Sequence, residues 1–160
     1  MILTIVVAAL WGVAVAGIGA MLTDLTSWYD TLRKPSWQPP DWLFGPAWTL
    51  ILALASASAF FAWRAAPDPA SRTLVVVLFV VNGVLNILWS PLFFKLRRPD
   101  WALMEVPLLW LSVLVPIVLL APISSLASLL LVPYLAWVSF AAVLNFKIVQ
   151  LNRPFATRAA

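Results

Sequence analysis

The residues whose types and spacing favour chemistry are amides and tryptophans within long apolar stretches. Asn82, Asn86 and Trp89 recur at intervals of four and three, which places them on one face of a helix. Trp48 and Trp137 stand in two other apolar stretches. Aromatic rings with a few amide groups are the usual lining of a small-molecule site. We therefore expect these five residues to bind a flat, hydrophobic ligand.

A second helical face continues from Trp137 through Ala141, Leu144 and Asn145. If this face meets Trp48 beneath the Trp- and Pro-rich stretch of residues 28–48, the two together would line an apolar, aromatic pocket. Tryptophan is also enriched at membrane interfaces. Interfacial anchoring is the competing interpretation for Trp11, Trp28, Trp42, Trp63, Trp101 and Trp110.

Several reaction classes are excluded by composition. The chain has no Cys and no His, which removes thiol chemistry, disulfides, imidazole catalysis and most transition-metal sites. Glu105 is the one carboxylate that falls inside an apolar stretch, so the paired acids of a proton-coupled pump are absent. We expect Glu105 to pair with Arg97 or Arg98 near the interface, with a functional acid as the alternative.

The elements that must position these residues are membrane-spanning helices. Hydrophobic residues make up 64% of the 160-residue chain, charged residues 10%, and the mean hydropathy is +1.00. Those values are typical of integral membrane proteins. A span needs about 20 residues, so the chain is predicted to be one all-α membrane domain, residues 1–160, without a separate soluble domain. The predicted spans are residues 2–22, 43–63, 73–94, 101–120 and 126–149.

Residues 28–48, the Trp-rich loop, are too polar to span a membrane and too rich in proline for a floppy tether. We expect a structured cap over the bundle. The net charge of +4 is explained by membrane orientation rather than by nucleic acid, because the cations sit at the edges of apolar runs. One side would carry Arg33, Lys34, Lys95, Arg97, Arg98, Lys147, Arg153 and Arg158, and the other Arg64 and Arg72. The positive-inside tendency then predicts a cytoplasmic loop and C-terminus and an external N-terminus, without specifying an inner or outer membrane.

Four separated motifs carry a resemblance to a known family. They are W-Y-D-T-L-R-K-P-S-W-Q-P-P from Trp28, G-P-A-W at residues 45–48, N-I-L-W-S-P-L-F-F from Asn86 and P-Y-L-A-W-V-S-F-A-A-V-L-N-F from Pro133. In this order they resemble the tryptophan-rich sensory protein family, also called the translocator protein or peripheral-type benzodiazepine receptor family (TspO/MBR). The resemblance extends over essentially the whole chain.

The resemblance implies a five-helix bundle, commonly a homodimer, that binds porphyrins such as protoporphyrin IX in a pocket beneath the first loop. No obligatory cofactor is implied, and without His or Cys the porphyrin would be a ligand held without iron ligation. Carried over by position, the pocket would use Tyr29, Trp48, Asn82, Asn86, Trp89, Trp101, Trp137, Ala141 and Leu144. Helix five reads L-N-F-K, with Phe146 where the family's sterol-associated pattern has Tyr, which argues against sterol binding.

Three functions remain open at this stage. The first is a sensor or regulator of tetrapyrrole or stress physiology, and the second is a transporter of porphyrin or a similar amphipathic molecule. The sequence has no inverted repeat that would favour transport. The third is light-dependent porphyrin degradation, in which the indoles of Trp48 and Trp137 would supply electrons.

Overall fold

The structure is a computed structural model that describes residues 2–25 and 27–155. It is helical: α1 (Ile2–Leu22), α2 (Ser27–Thr31), α3 (Phe44–Ala65), α4 (Pro69–Ser90), α5 (Pro99–Leu120), α6 (Ser125–Leu130) and α7 (Val132–Asn152). A 3₁₀ turn (Asp41–Leu43) leads into α3, and a wider π-helical turn (Pro91–Lys95) extends α4. No β-strand occurs in these two described ranges.

Five helical segments are long and apolar enough to cross a membrane: Ile2–Leu22, Asp41–Ala65, Pro69–Lys95, Pro99–Leu120 and Ser125–Asn152. Their outward faces carry aliphatic side chains such as Leu10, Val84 and Val118, which suits contact with lipid. The predicted fold class, an all-α integral membrane bundle of five spans, is confirmed.

Two spans begin earlier than the apolar pattern indicates, because proline at the first helical position is compatible with a helix start. Asp68 caps α4 by accepting a hydrogen bond from the Ser71 backbone N–H at 2.9 Å, and Pro69 follows it. Pro99 occupies the same position in α5. The Pro67-Asp68-Pro69 sequence is therefore both a turn and a helix start.

Small residues let α1 pack closely against its neighbours. A Cβ on Gly12 would collide with the Ser56 hydroxyl of α3, and one on Gly83 of α4 would lie 2.9 Å from Trp11 Nε1. Trp11 instead donates this N–H to the Phe79 carbonyl at 3.0 Å. The glycines thus fix the seating of α1 on α3 and α4.

Helices α4, α5 and α7 build the core around the site. Trp110 of α5 donates to Ser139 Oγ of α7 at 2.9 Å, and Asn145 Nδ2 of α7 donates to the Pro99 carbonyl at 3.0 Å. These two bonds set α5 and α7 antiparallel, because a higher number on one helix meets a lower number on the other. The pairing holds their side chains in a fixed register.

The loop lies at the same end of the bundle as the end of α4 and the end of α7. Trp28 packs on Phe93 at a centroid separation of 6.2 Å, and the Arg33 backbone bonds to the Asn152 side chain. The predicted grouping of cations on one side agrees with this arrangement for the residues that the structure describes. Arg158 lies outside them.

Candidate functional site

Six aromatic side chains form what we call the lid cluster, where the Trp-rich loop meets α3 and α7. Trp48 contacts Trp137 edge to face, with centroids 6.3 Å apart and planes at 83°. Phe140 lies 5.4 Å from Trp137 and 5.9 Å from the loop residue Trp37. The full set is Trp37, Phe44, Trp48, Tyr134, Trp137 and Phe140. Trp48 thus meets the Trp137 face beneath the loop, which is the condition on which the aromatic pocket depended.

The α7 side of this cluster repeats at helical spacing. Tyr134, Trp137 and Phe140 are separated by three residues each, which turns their rings towards the same side of α7. Phe44 and Trp48 stand four residues apart at the start of α3, and both contact the Trp137 ring. Trp48 also contacts the Tyr134 ring. The lid cluster is therefore built from one face of α3, one face of α7 and one loop side chain.

A second group, which we call the Trp89 cluster, lies where α2 meets the end of α4. Trp89 stacks on Phe93 with centroids 4.9 Å apart and planes at 27°, and it meets Phe94 edge to face at 5.9 Å. Its members are Trp28, Tyr29, Trp89, Phe93 and Phe94. Leu144 is buried against this group, so α7 contacts both clusters.

The two predicted amides are buried, with 3% of Asn82 and 9% of Asn86 exposed, and they face the bundle interior. Both already have protein partners. Asn86 Nδ2 donates to Tyr134 Oη at 2.7 Å, Tyr134 donates to Asn82 Oδ1 at 3.3 Å, and Asn82 Nδ2 donates to Ser112 Oγ at 2.9 Å. The amides therefore join α4 to α5 and α7 in a polar network.

A small cavity adjoins this network. Its volume is about 10 Å³, which is close to the smallest space that holds one water molecule. Its lining includes Asn82, Ser112 and Tyr134. The cavity is far too small for a flat organic ligand.

A network of polar side chains around Tyr29 holds the loop in place. The Tyr29 hydroxyl donates to Asp41 Oδ1 at 3.0 Å, and Gln38 Nε2 donates to both groups, at 3.2 and 3.0 Å. Lys34 Nζ lies 3.5 Å from the Tyr29 ring centroid and 3.9 Å from Asp41 Oδ2. Burial, together with the neighbouring Asp41 carboxylate, raises the pKa of Tyr29 to about 12.

A second attachment, which we call the latch, joins the loop to the end of α7. The Arg33 N–H donates to Asn152 Oδ1 at 2.9 Å, and Asn152 Nδ2 donates to the Arg33 carbonyl at 2.8 Å. The side-chain amide thus pairs with the loop backbone as a neighbouring strand would. Sequence reasoning missed this contact, because the two residues are 119 positions apart.

The structure places the predicted site residues unevenly. Trp48 and Trp137 lie in the lid cluster, and Tyr29, Trp89 and Leu144 lie in or against the Trp89 cluster. Ala141 is half-buried on α7 between the two groups. Trp101 is 45% exposed, and its ring faces the Arg98 guanidinium 4.3 Å away. Its geometry fits interfacial anchoring.

The expected pairing of Glu105 with Arg97 or Arg98 is wrong. Arg98 Nε instead donates to Asp100 Oδ1 at 2.8 Å, and the Arg97 guanidinium lies over the Trp28 ring at 5.9 Å. Both arginines find nearer partners at the helix end, whereas Glu105 lies further along α5. Its side chain is buried and neither carboxyl oxygen has a hydrogen-bond partner among the described residues.

Two other buried polar atoms at the lid also lack partners in the part of the chain that the structure describes. They are Trp137 Nε1, in the centre of the lid cluster, and Gln38 Oε1, in the loop above it. A buried polar atom without a partner costs about 1–3 kcal/mol. A ligand that entered between the rings could accept a hydrogen bond from the indole and donate one to the amide.

Comparison with known proteins shows matches along nearly the whole chain. The model of the TspO/MBR family matches residues 3–151. The tryptophan-rich protein TspO of Chlorobaculum tepidum is 44% identical over 79% of this chain and 80% of its own length. The protein of the same name from Archaeoglobus fulgidus is 40% identical over 94% and 98%. The human translocator protein is 34% identical over 74% and 71%.

Proposed function

Because the chain belongs to the TspO/MBR family, we propose that it is a membrane sensor that binds porphyrins, such as protoporphyrin IX, within the lid cluster. The observation that carries the proposal is the contact of Trp48 with Trp137 beneath Trp37 of the loop. These rings come from three separate parts of the chain. A planar macrocycle inserted among them would stack on indole faces and be covered by the loop.

The energetics of insertion favour this proposal. A macrocycle must separate aromatic pairs, each of which contributes about 0.5–1.5 kcal/mol beyond its area burial. Micromolar affinity corresponds to about 8 kcal/mol. The free energy lost when these ring contacts are separated is therefore small compared with the free energy that stacking and burial of a large apolar macrocycle can provide. The unpartnered Trp137 N–H also supplies a donor for the ligand.

The charges at the loop support binding of an anionic edge. Porphyrin propionates are carboxylates and pair well with guanidinium groups. The side chain of Lys34 is already engaged by Tyr29 and Asp41, whereas Arg33 is exposed at the same end of the bundle. Arg33 is thus the better placed of the two for a propionate. On the positive-inside tendency we also propose that this end faces the cytoplasm.

Titration of detergent-solubilised protein with protoporphyrin IX tests the proposal through quenching of tryptophan fluorescence. Trp48→Ala should weaken binding at least tenfold, since it deletes a central aromatic wall. Trp63→Ala is the matched control. Trp63 is on the same helix, 15 residues from Trp48, which is about 22 Å along the axis. Equal affinity in the Trp48 and Trp63 variants would contradict a site in the lid cluster.

A second function, light-driven degradation of the bound porphyrin, shares this site. The close contact of two indoles, with centroids 6.3 Å apart, favours it, because either ring could donate an electron to an excited macrocycle. Trp137→Phe keeps an aromatic face but is harder to oxidise. Light-dependent loss of porphyrin absorbance that disappears in this variant, at unchanged affinity, would support degradation over sensing alone.

A further inference from the structure

Hydrogen bonds between the helices show which residues of α4 and α7 lie opposite Glu105. On the α7 side, the bonds Pro99–Asn145 and Trp110–Ser139 bracket it, so Glu105 lies opposite residues 141–142. On the α4 side, Asn82 bonds to Ser112. Glu105 is seven residues before Ser112 on α5, and Trp89 is seven residues after Asn82 on α4. Since α4 and α5 are also antiparallel, Glu105 is level with Trp89.

The buried face of α5 carries Glu105 between the two aromatic groups. Ala102, three residues before it, is buried against the Trp89 cluster. Leu109, four residues after it, is packed in the core group that includes Tyr134 and Trp137. Residues three and four apart share a helix face. Glu105 therefore lies between the Trp89 cluster and the core group that contains Tyr134.

The chemistry at this point is unusual for the interior of a membrane protein. Only 7% of Glu105 is exposed, and both carboxyl oxygens lack a partner among the described residues. Ser90, Ser139 and Asn145 are the polar side chains nearest in register, and none of them bonds to Glu105. Ser139 is bonded to Trp110 and the Leu135 carbonyl, and Asn145 Nδ2 donates to the Pro99 carbonyl. Ionisable groups inside a membrane bundle are costly and mark sites for ions or substrates.

We propose that Glu105, with aromatic rings of the two clusters between which it lies, binds a lipophilic organic cation such as an aromatic quaternary or tertiary amine. A carboxylate supplies the countercharge, and indole and phenol faces attract a cation through their quadrupoles. The α7 residues level with the carboxyl group, Ala141 and Ala142, are half-buried and have small side chains. The cation site does not require that porphyrin bind in the lid cluster.

Arginine and lysine side chains do not compete for this carboxylate from the neighbouring helices. Arg98 is paired with Asp100, and Arg97 lies over Trp28 at the helix end. Lys147 of α7 bonds to Gln150 Oε1 at 2.7 Å. A cation at Glu105 would therefore come from a ligand and not from the chain described here.

Equilibrium dialysis of the detergent-solubilised full chain tests the proposal, with protein-free micelles subtracted. The probe is benzyltrimethylammonium, and its uncharged carbon isostere, neopentylbenzene, is the comparison ligand. Glu105→Gln keeps the side-chain volume and removes the charge, so it should weaken binding of the cation about tenfold or more. Glu105→Asp keeps the charge and should retain most of the affinity. Asp24→Asn, an equal charge change outside the bundle interior, should leave binding unchanged.

The outcomes separate this proposal from its alternatives. Binding of neopentylbenzene that is independent of Glu105 supports a charge-selective site, whereas an equal loss for both ligands in Glu105→Gln would overturn it. Binding of the cation to Glu105→Gln within twofold of the wild type would also overturn it. Protoporphyrin quenching in the same variant reports on the lid cluster, so failure of one proposal is distinguishable from failure of the other. Size-exclusion chromatography and circular dichroism establish that each variant is folded.

Discussion

Removal of the latch should open the Trp-rich loop without unfolding the bundle. Asn152 makes two hydrogen bonds to the Arg33 backbone, at 2.9 and 2.8 Å. Both bonds are solvent-exposed, so each should contribute about 0.5–1 kcal/mol, the lower part of the usual range. Asn152→Ala therefore costs the closed loop about 1–2 kcal/mol. The population of the open loop should rise about five- to thirtyfold.

Hydrogen–deuterium exchange measures this opening directly. The Arg33 N–H loses its acceptor in Asn152→Ala, and the Gln38 N–H, bonded to the Pro35 carbonyl at 3.0 Å, reports on the rest of the loop. Both should exchange faster by the same five- to thirtyfold factor if the loop opens as a unit. Amides of α4 and α5 should keep their wild-type rates, because the latch does not contact them.

Two variants sharpen the latch experiment. Asn152→Asp keeps the acceptor for the Arg33 N–H but loses the donor to the Arg33 carbonyl, so its exchange rates should fall between wild type and alanine. Gln150→Ala is the control, since Gln150 lies on the same helix end but bonds to Lys147. Loop exchange in Asn152→Ala that equals the Gln150→Ala rate would refute the reasoning.

Two further predictions concern the loop and the seating of α1. The pKa of Tyr29 rises from 10 to about 12 on folding. The contribution of its protonated hydroxyl group to the stability of the folded protein is therefore complete below pH 10 and is lost between pH 10 and 12. Thermal unfolding should show a larger loss of stability over this pH range in the wild type than in Tyr29→Phe, and equal pH profiles would contradict it. Gly83→Ala should lower stability by about 1–3 kcal/mol, because its Cβ meets Trp11 Nε1 at 2.9 Å. Gly17→Ala should not lower stability in this way, because a Cβ there has no atom within 4 Å. Equal melting temperatures for the Gly83 and Gly17 variants would contradict the close packing at Gly83.

The sequence predicts the spans well because lipid allows few alternatives to the helix, so apolar length alone marks them. Helical spacing defined the face of α7 that carries Trp137, but the contact of that face with Trp48 was only a condition, because spacing within one helix does not specify its partner. Trp37 and Phe140 were missed, because their contact depends on how the loop folds back over α7. Tyr134 could have been found, since it stands three residues before Trp137 on the same face.

The partners of single polar side chains were the least predictable feature. Proximity along the chain favoured an ion pair between Glu105 and Arg97 or Arg98, but Asp100 is nearer to Arg98 and occupies its guanidinium. The choice between partners depends on rotamers and distances that the sequence does not specify. The same limit applies to Asn86, whose partner Tyr134 is 48 residues away.

The buried amides of Asn82 and Asn86 are already hydrogen-bonded within the protein, so other polar atoms should recognise a ligand. Asn82 and Asn86 were expected to orient it, yet their network with Tyr134 would have to break before either amide could turn to a new partner. Breaking it would leave buried polar groups unpaired, at about 1–3 kcal/mol each. Trp137 Nε1 and Gln38 Oε1 gain a bond without losing one. Polar selectivity should therefore come from the lid, and the amides should chiefly hold α4 against α7.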